Sequence, residues 1–149
     1  MGFEQVSLKG RALRLLAGRE HSRAELEKKL VAHEAEPGEL QRALDELQAK
    51  GFISEQRVVD SVLHRRAARL GAGRVKQELQ AKGISAEAVA EAVQALRGSE
   101  LARAREVWRK KFGEPATDAA GRARQMRFLA ARGFGGDTIR RVLGGEDTD

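Results

Sequence analysis

The sequence has no cysteine, no tyrosine and only two prolines, and aromatic residues are 4% of it. Without cysteine there is no disulfide framework, no thiolate metal site and no thiol nucleophile, and a reducing cytoplasm suits such a chain. Scarce aromatics weigh against β-rich folds, whose pleated surfaces draw on aromatic and β-branched side chains. No run approaches the roughly 18 to 20 apolar residues that span a bilayer, and the opening "MGFEQVSLKG" lacks the apolar centre of a secretory leader. The expectation is a soluble, cytoplasmic chain without a membrane partner.

What fills the space is helix-forming sequence. Apolar residues reach 41% and charged ones 34%, a balance that suits amphipathic helices, and alanine, leucine, arginine, lysine and glutamate are abundant. The predicted fold is all-α. Glycines 18, 51, 71, 83, 98, 113 and 133 each follow an apolar-periodic stretch and read as C-terminal stops. Ser22, Ser54, Ser85, Ser99, Thr117 and Asp137 read as starts, with side-chain oxygens placed to accept from free backbone amides. In "REHSRAELEKKL", Ser22 followed three positions later by Glu25 has the spacing of a capping box. Nine helices are predicted, at 8–18, 23–34, 37–50, 55–70, 73–82, 86–97, 100–112, 118–132 and 137–143.

Taken in threes, these helices repeat. Leu30, Leu40 and Leu44 recur as Leu79, Val89 and Val93 and again as Leu129, Ile139 and Leu143, a register of 49 and then 50 residues. The third helix of each unit carries a stripe at i, i+3, i+4 and i+7: Leu40, Ala43, Leu44 and Leu47, then Val89, Ala92, Val93 and Leu96. In the last unit Glu146 stands where the fourth member would fall. The pattern predicts three tandem three-helix repeats stacked into an elongated, curved array. Its parts are an N-terminal extension at 1–7, repeats at 8–54, 55–98 and 99–144, and an acidic tail, "GEDTD", expected to be disordered at 145–149. Units this small bury little surface alone, so neighbours are expected to share a continuous core.

The net charge is +6, and its excess lies late in the chain: residues 1–54 carry nine basic and nine acidic side chains, 55–97 eight against five, and 98–145 eleven against five. Arginine outnumbers lysine twenty to eight, and a planar guanidinium suits carboxylate or phosphate recognition. The candidate partner-binding residues are Arg65, Arg66, Arg69, Arg74 and Lys76 in the second unit, with Arg103, Arg109, Lys110, Lys111, Arg122, Arg124, Arg127, Arg140 and Arg141 in the third. The first unit, nearly neutral, is expected to matter less electrostatically.

Catalytic candidates are weak. His21, His33 and His64 lack ligand spacing, and there is no HExxH. The glycine-rich "GAGR" at 71–74 and "GFGGD" at 133–137 neither follow a strand nor lead into GK[ST], so they read as helix corners. Trp108, Phe112 and Phe128 read as the third unit's core. The expectation is a monomeric, non-enzymatic protein with no cofactor and no metal.

Three stretches carry a family resemblance: "HSRAELEKKL" at 21–30, "GFISEQR" at 51–57 and "GAGRVKQELQAKGI" at 71–84. In these the chain resembles the RecX family, bacterial regulators of the RecA recombinase, with similarity running from about residue 11 to 143. It departs where Val58 and Val59 stand in place of an aromatic residue followed by alanine. The resemblance implies three tandem three-helix repeats, reached above from spacing alone. It also implies a regulator of homologous recombination and DNA repair, linked to the SOS response, that binds the RecA nucleoprotein filament in its groove and inhibits strand exchange and coupled ATP hydrolysis. Direct contact with single- or double-stranded DNA is expected to be weak and non-specific. The rival reading is a stand-alone basic helical DNA-binding protein, since compact three-helix units with basic helices also serve that purpose.

Overall fold

Residues 6–145, which the computed structural model describes, form nine α-helices and a short 3₁₀ turn. The expected disorder of the acidic tail, and Glu146, fall at 146–149, outside the described residues. The first unit holds α1 (Leu8–Gly18), α2 (Arg23–Leu30) and α3 (Glu39–Ala49). The second holds α4 (Glu55–Arg66), α5 (Ala72–Ala81) and α6 (Ala86–Arg97), and the third α7 (Glu100–Lys111), α8 (Ala119–Ala131) and α9 (Gly136–Gly144).

Caps explain most boundaries. Ser22 and Glu25 close the predicted box in both directions, the Ser22 hydroxyl accepting from the Glu25 amide and the Glu25 carboxylate from the Ser22 amide. Ser54 and Ser85 cap α4 and α6. Three assignments shift. Asp118, not Thr117, caps α8; Asp137 lies inside the first turn of α9, behind Gly135; and the Ser99 hydroxyl donates backward to the Leu96 carbonyl instead of capping α7. Glycines 51, 83, 113 and 133 adopt the left-handed stop, whereas 18, 71 and 98 do not. Gly71 opens α5 instead of closing a helix. The helix predicted to run to residue 70 ends at Arg66 because the carbonyls of Ala67 and Leu70 turn toward an arginine of the next unit.

The expectation of one continuous core is overturned. Each unit closes its own apolar cluster: Leu26, Leu30, Leu40, Leu44 and Leu47 in the first, Val58, Val62, Val75, Leu79 and Val89 in the second, and Ala104, Leu129, Phe134 and Ile139 in the third. The helix pairs that pack closely lie within units. In each, an apolar residue just past a turn glycine, Ile53, Ile84 or Phe134, seals the core from below.

Polar joints connect the units. At the first, the Ser22 hydroxyl donates to the Lys82 carbonyl (2.6 Å), Lys82 pairs with Glu25 (3.3 Å), and Arg57 donates to Glu20 (2.9 Å). At the second, main chain meets main chain: the Gly71 amide donates to the Arg132 carbonyl (2.7 Å) and the Gly73 amide to the Gly133 carbonyl (3.1 Å). A β-carbon on Gly71 would stand 2.4 Å from the Gly133 carbonyl carbon, so the approach requires glycine.

Candidate partner interface

The two joints position a basic trough. Next to the first lies a depression of about 710 Å³ lined by Glu25, Lys28, Lys29, Glu78 and Lys82. Glu78 also lines the next depression, with Arg66, Leu70 and Arg74. Arg66, Leu70 and Arg74 line a third, of about 490 Å³, together with Arg69, Phe128 and Arg132. The last shares Arg69, Phe128 and Arg132 and adds Glu106, Lys110 and Lys111. The shared residues make these depressions one trough across all three units, with nine cationic side chains against three carboxylates. So uneven a lining concentrates positive potential where an anionic ligand would lie.

At its first end the chemistry is tightly set. Burial raises the Glu25 carboxyl, but hydrogen bonds from Arg19, from the Ser22 amide and from Lys82 outweigh it and hold the group at about 2. His21, 2% exposed, is pushed below the ordinary imidazole range by burial, against the pull of its bond to the Arg19 carbonyl. Its Nδ1 lies 3.1 Å from that carbonyl and its Nε2 3.2 Å from Lys29 Nζ. A neutral ring with its proton on Nδ1 satisfies both contacts.

Midway, Arg66 Nε lies 3.4 Å from Glu78 Oε1, while Glu78 Oε2 is buried without a partner among the described residues. Farther on, Phe128 packs edge-on against Phe112, with centroids 5.3 Å apart. Arg132 and Lys111 lie over its ring at 4.8 and 5.6 Å. Phe128 therefore belongs both to the third core's margin and to the trough wall.

The predicted residues divide. Arg66, Arg69, Arg74, Lys110 and Lys111 come together in the trough. Arg65 is exposed but does not line it, and Lys76 faces a separate depression between α5 and α6. Arg109 forms a two-pronged pair with Glu106 (2.6 and 3.0 Å), and Arg140 pairs with Asp137. Arg122, Arg124 and Arg127 are exposed on α8 and Arg141 is half-buried on α9, all without an ion pair among the described residues.

Arg103 is occupied within the chain. Its Nη1 donates to the carbonyls of Ala67 (2.8 Å) and Leu70 (2.5 Å), its Nη2 to the Leu96 carbonyl (3.2 Å) and Glu100 (2.8 Å), and its Nε to Ser99 (3.0 Å). All five donors of the guanidinium are used, so the side chain ties the second unit to the third. Sequence reasoning missed Lys28, Lys29, Lys82 and Arg132. A signal was present, since Lys82 and Arg132 each directly precede a turn glycine, 50 residues apart.

A three-unit helical-repeat protein with a cationic trough along its joints is the class this fold defines. Known proteins narrow it. The descriptions "RecX, first three-helix domain", "second three-helix domain" and "third three-helix domain" match residues 9–47, 54–93 and 99–143. A regulatory protein RecX of Leptothrix cholodnii is 57% identical over 139 residues, covering 93% of this chain and 88% of that one. One of Herminiimonas arsenicoxydans is 49% identical over 93% of this chain and 92% of its own. The crystal structure of RecX from Lactobacillus salivarius superimposes with a TM-score of 0.77 at 16% identity, covering 93% of each chain, a likeness of fold. The chain belongs to the RecX family of regulatory proteins. No helix among the described residues is long and apolar enough to cross a membrane.

Proposed function

We propose that this chain regulates the RecA recombinase in the cytoplasm by binding its nucleoprotein filament as a monomer, seated in the filament's groove, and so restrains strand exchange and the coupled hydrolysis of ATP. The observation that carries the reading is the trough: nine cations spread over three units meet an extended, repeating anionic surface better than they meet a compact ligand. Several modest contacts along one polymer add through effective concentration, so assembled filament is bound more tightly than free recombinase. No catalytic group is needed, because a ligand that prefers one filament state draws the population toward it.

The test is the DNA-stimulated ATPase of the recombinase, with strand exchange in parallel, at increasing amounts of this protein. Both activities fall as the protein is added; unchanged activity at saturation would remove the proposal. Reversing Arg66, Arg69 and Arg74 to glutamate weakens filament binding more than tenfold at moderate salt with helicity intact.

A second reading, direct DNA binding without the recombinase, is favoured by the unpaired basic face of α8. Labelled DNA titrated with and without recombinase separates the two. Strong binding in its absence, with a salt slope that drops by roughly 0.9 per α8 arginine removed, supports the second.

A further inference from the structure

A depression of about 610 Å³ lies between α5 and α6, away from the trough. Ile84, Ala86, Val89, Ala90 and Val93 form its floor, Gln80 and Gln94 its sides, and Lys76 and Arg97 are its cations. The chain's own repeat explains why it is open. In the first unit the corresponding space between α2 and α3 is filled by Arg23, which reaches Glu27 (3.3 Å), Gln41 (2.7 Å), Asp45 (2.7 Å) and Gln48 (2.8 Å). With the register of 49 residues, Arg23 becomes Ala72, so the filling side chain is gone. Glu27, Asp45 and Gln48 become Lys76, Gln94 and Arg97, so a rim that was acidic around a resident cation is now basic around open space. Leu44, fully buried, becomes Val93, smaller and half-buried.

We infer that this groove receives an amphipathic helix of the partner protein, one with an apolar stripe and carboxylates at one end. The inference rests on the filament reading above and assigns a second, apolar contact to it. Ala86 and Ala90 let another helix approach closely, and a helix laid between α5 and α6 makes a three-helix packing of the kind found within each unit. Glu27 and Gln48, the counterparts of Lys76 and Arg97, both reach the Arg23 guanidinium in the first unit, which places the two cations side by side on the rim of the groove. Neither has an ion-pair partner among the described residues. Carboxylates, or the negative end of the incoming helix, supply the missing charge there. Glu87 and Glu91, the acids of α6, do not line the groove.

The full chain carrying benzoylphenylalanine at exposed Ala90 is irradiated with recombinase assembled on single-stranded DNA, and the same mixture is sedimented. The expected result is a cross-link to the recombinase that maps to a helix with an apolar stripe and terminal acids, its yield reduced more than fivefold by K76E/R97E. Sedimentation with the filament without that cross-link, cross-linking only to DNA or to a second copy, or a yield indifferent to the charge reversal would overturn the inference while leaving the filament reading in place. Failure to sediment at all would overturn both.

Discussion

A buried histidine, His21, and a half-buried carboxylate, Glu25, give the first joint a pH dependence with a definite sign. His21 is neutral in the folded chain and its pKa is lowered, chiefly by burial, so the unfolded chain takes up that proton first as the medium acidifies. Its contribution to stability is complete above about pH 6.5, the ordinary histidine value, and falls as pH drops below it. Glu25 ionises in the folded chain down to about 2, so its contribution is complete above the usual carboxylate range and is lost as pH falls from that range toward 2. Urea midpoints measured across pH are expected to decline in two stages, with His21→Gln removing the upper stage and Glu25→Gln the lower. Arg103 offers a second prediction at this scale. Arg103→Met leaves the Ala67 and Leu70 carbonyls without a donor and Glu100 without its cation, and is expected to cost about 2 to 4 kcal/mol in denaturant unfolding. Arg103→Lys rescues only part of it, because an ammonium cannot reproduce the five-donor fork.

Among elements, the turns that end helices differ in what surrounds them. Gly51 and Gly133 both have positive φ, 83° and 91°. A β-carbon at Gly51 would meet nothing within 4 Å, while one at Gly133 would stand 2.4 Å from the Arg74 amide nitrogen. Gly51→Ala is therefore expected to cost about 1 to 2 kcal/mol, the penalty of the left-handed backbone alone. Gly133→Ala costs that and also forces the second joint apart, visible as loss of hydrogen-exchange protection at the Gly71 and Gly73 amides. The turns at 51, 83, 113 and 133 and the caps at 22, 54 and 85 were legible in the sequence because each depends on a residue type with a local conformational preference. The joints were not. The first pairs side chains tens of residues apart, and the second uses main-chain groups, which every residue carries, so Gly71 passed for a stop and Arg103 for one more surface arginine in "ARAREVWRKK".

Over the whole molecule, the repeat at 49 and 50 residues predicted the three units, but the same apolar positions fit a shared core and three separate ones equally well. Separate cores lead to uncoupled unfolding. Leu44→Ala, at a fully buried position, is expected to cost the first unit about 2 to 5 kcal/mol. Exchange protection then falls across α1 to α3 and persists in α4 to α9; a uniform fall would mean one cooperative body. The trough too escaped the sequence for a reason of scale. Equal numbers of acids and bases made the first unit look inert, yet a charge total is blind to direction, and Lys28 and Lys29 face the trough while acids such as Glu36 and Asp45 do not line it.

The contrast between the two joints bears on how the angle of such a chain can change. Where glycine backbones interlock, as at 71 and 133, main-chain contact sets the spacing and Arg103 only braces it, so the hinge is hard to adjust by a few degrees. Where serine, lysine, glutamate and arginine do the fastening, as between the first and second units, one substitution suffices to retune it. Divergence in pitch among chains built on this plan should therefore collect at the first hinge, leaving the rear two thirds as a fixed gauge.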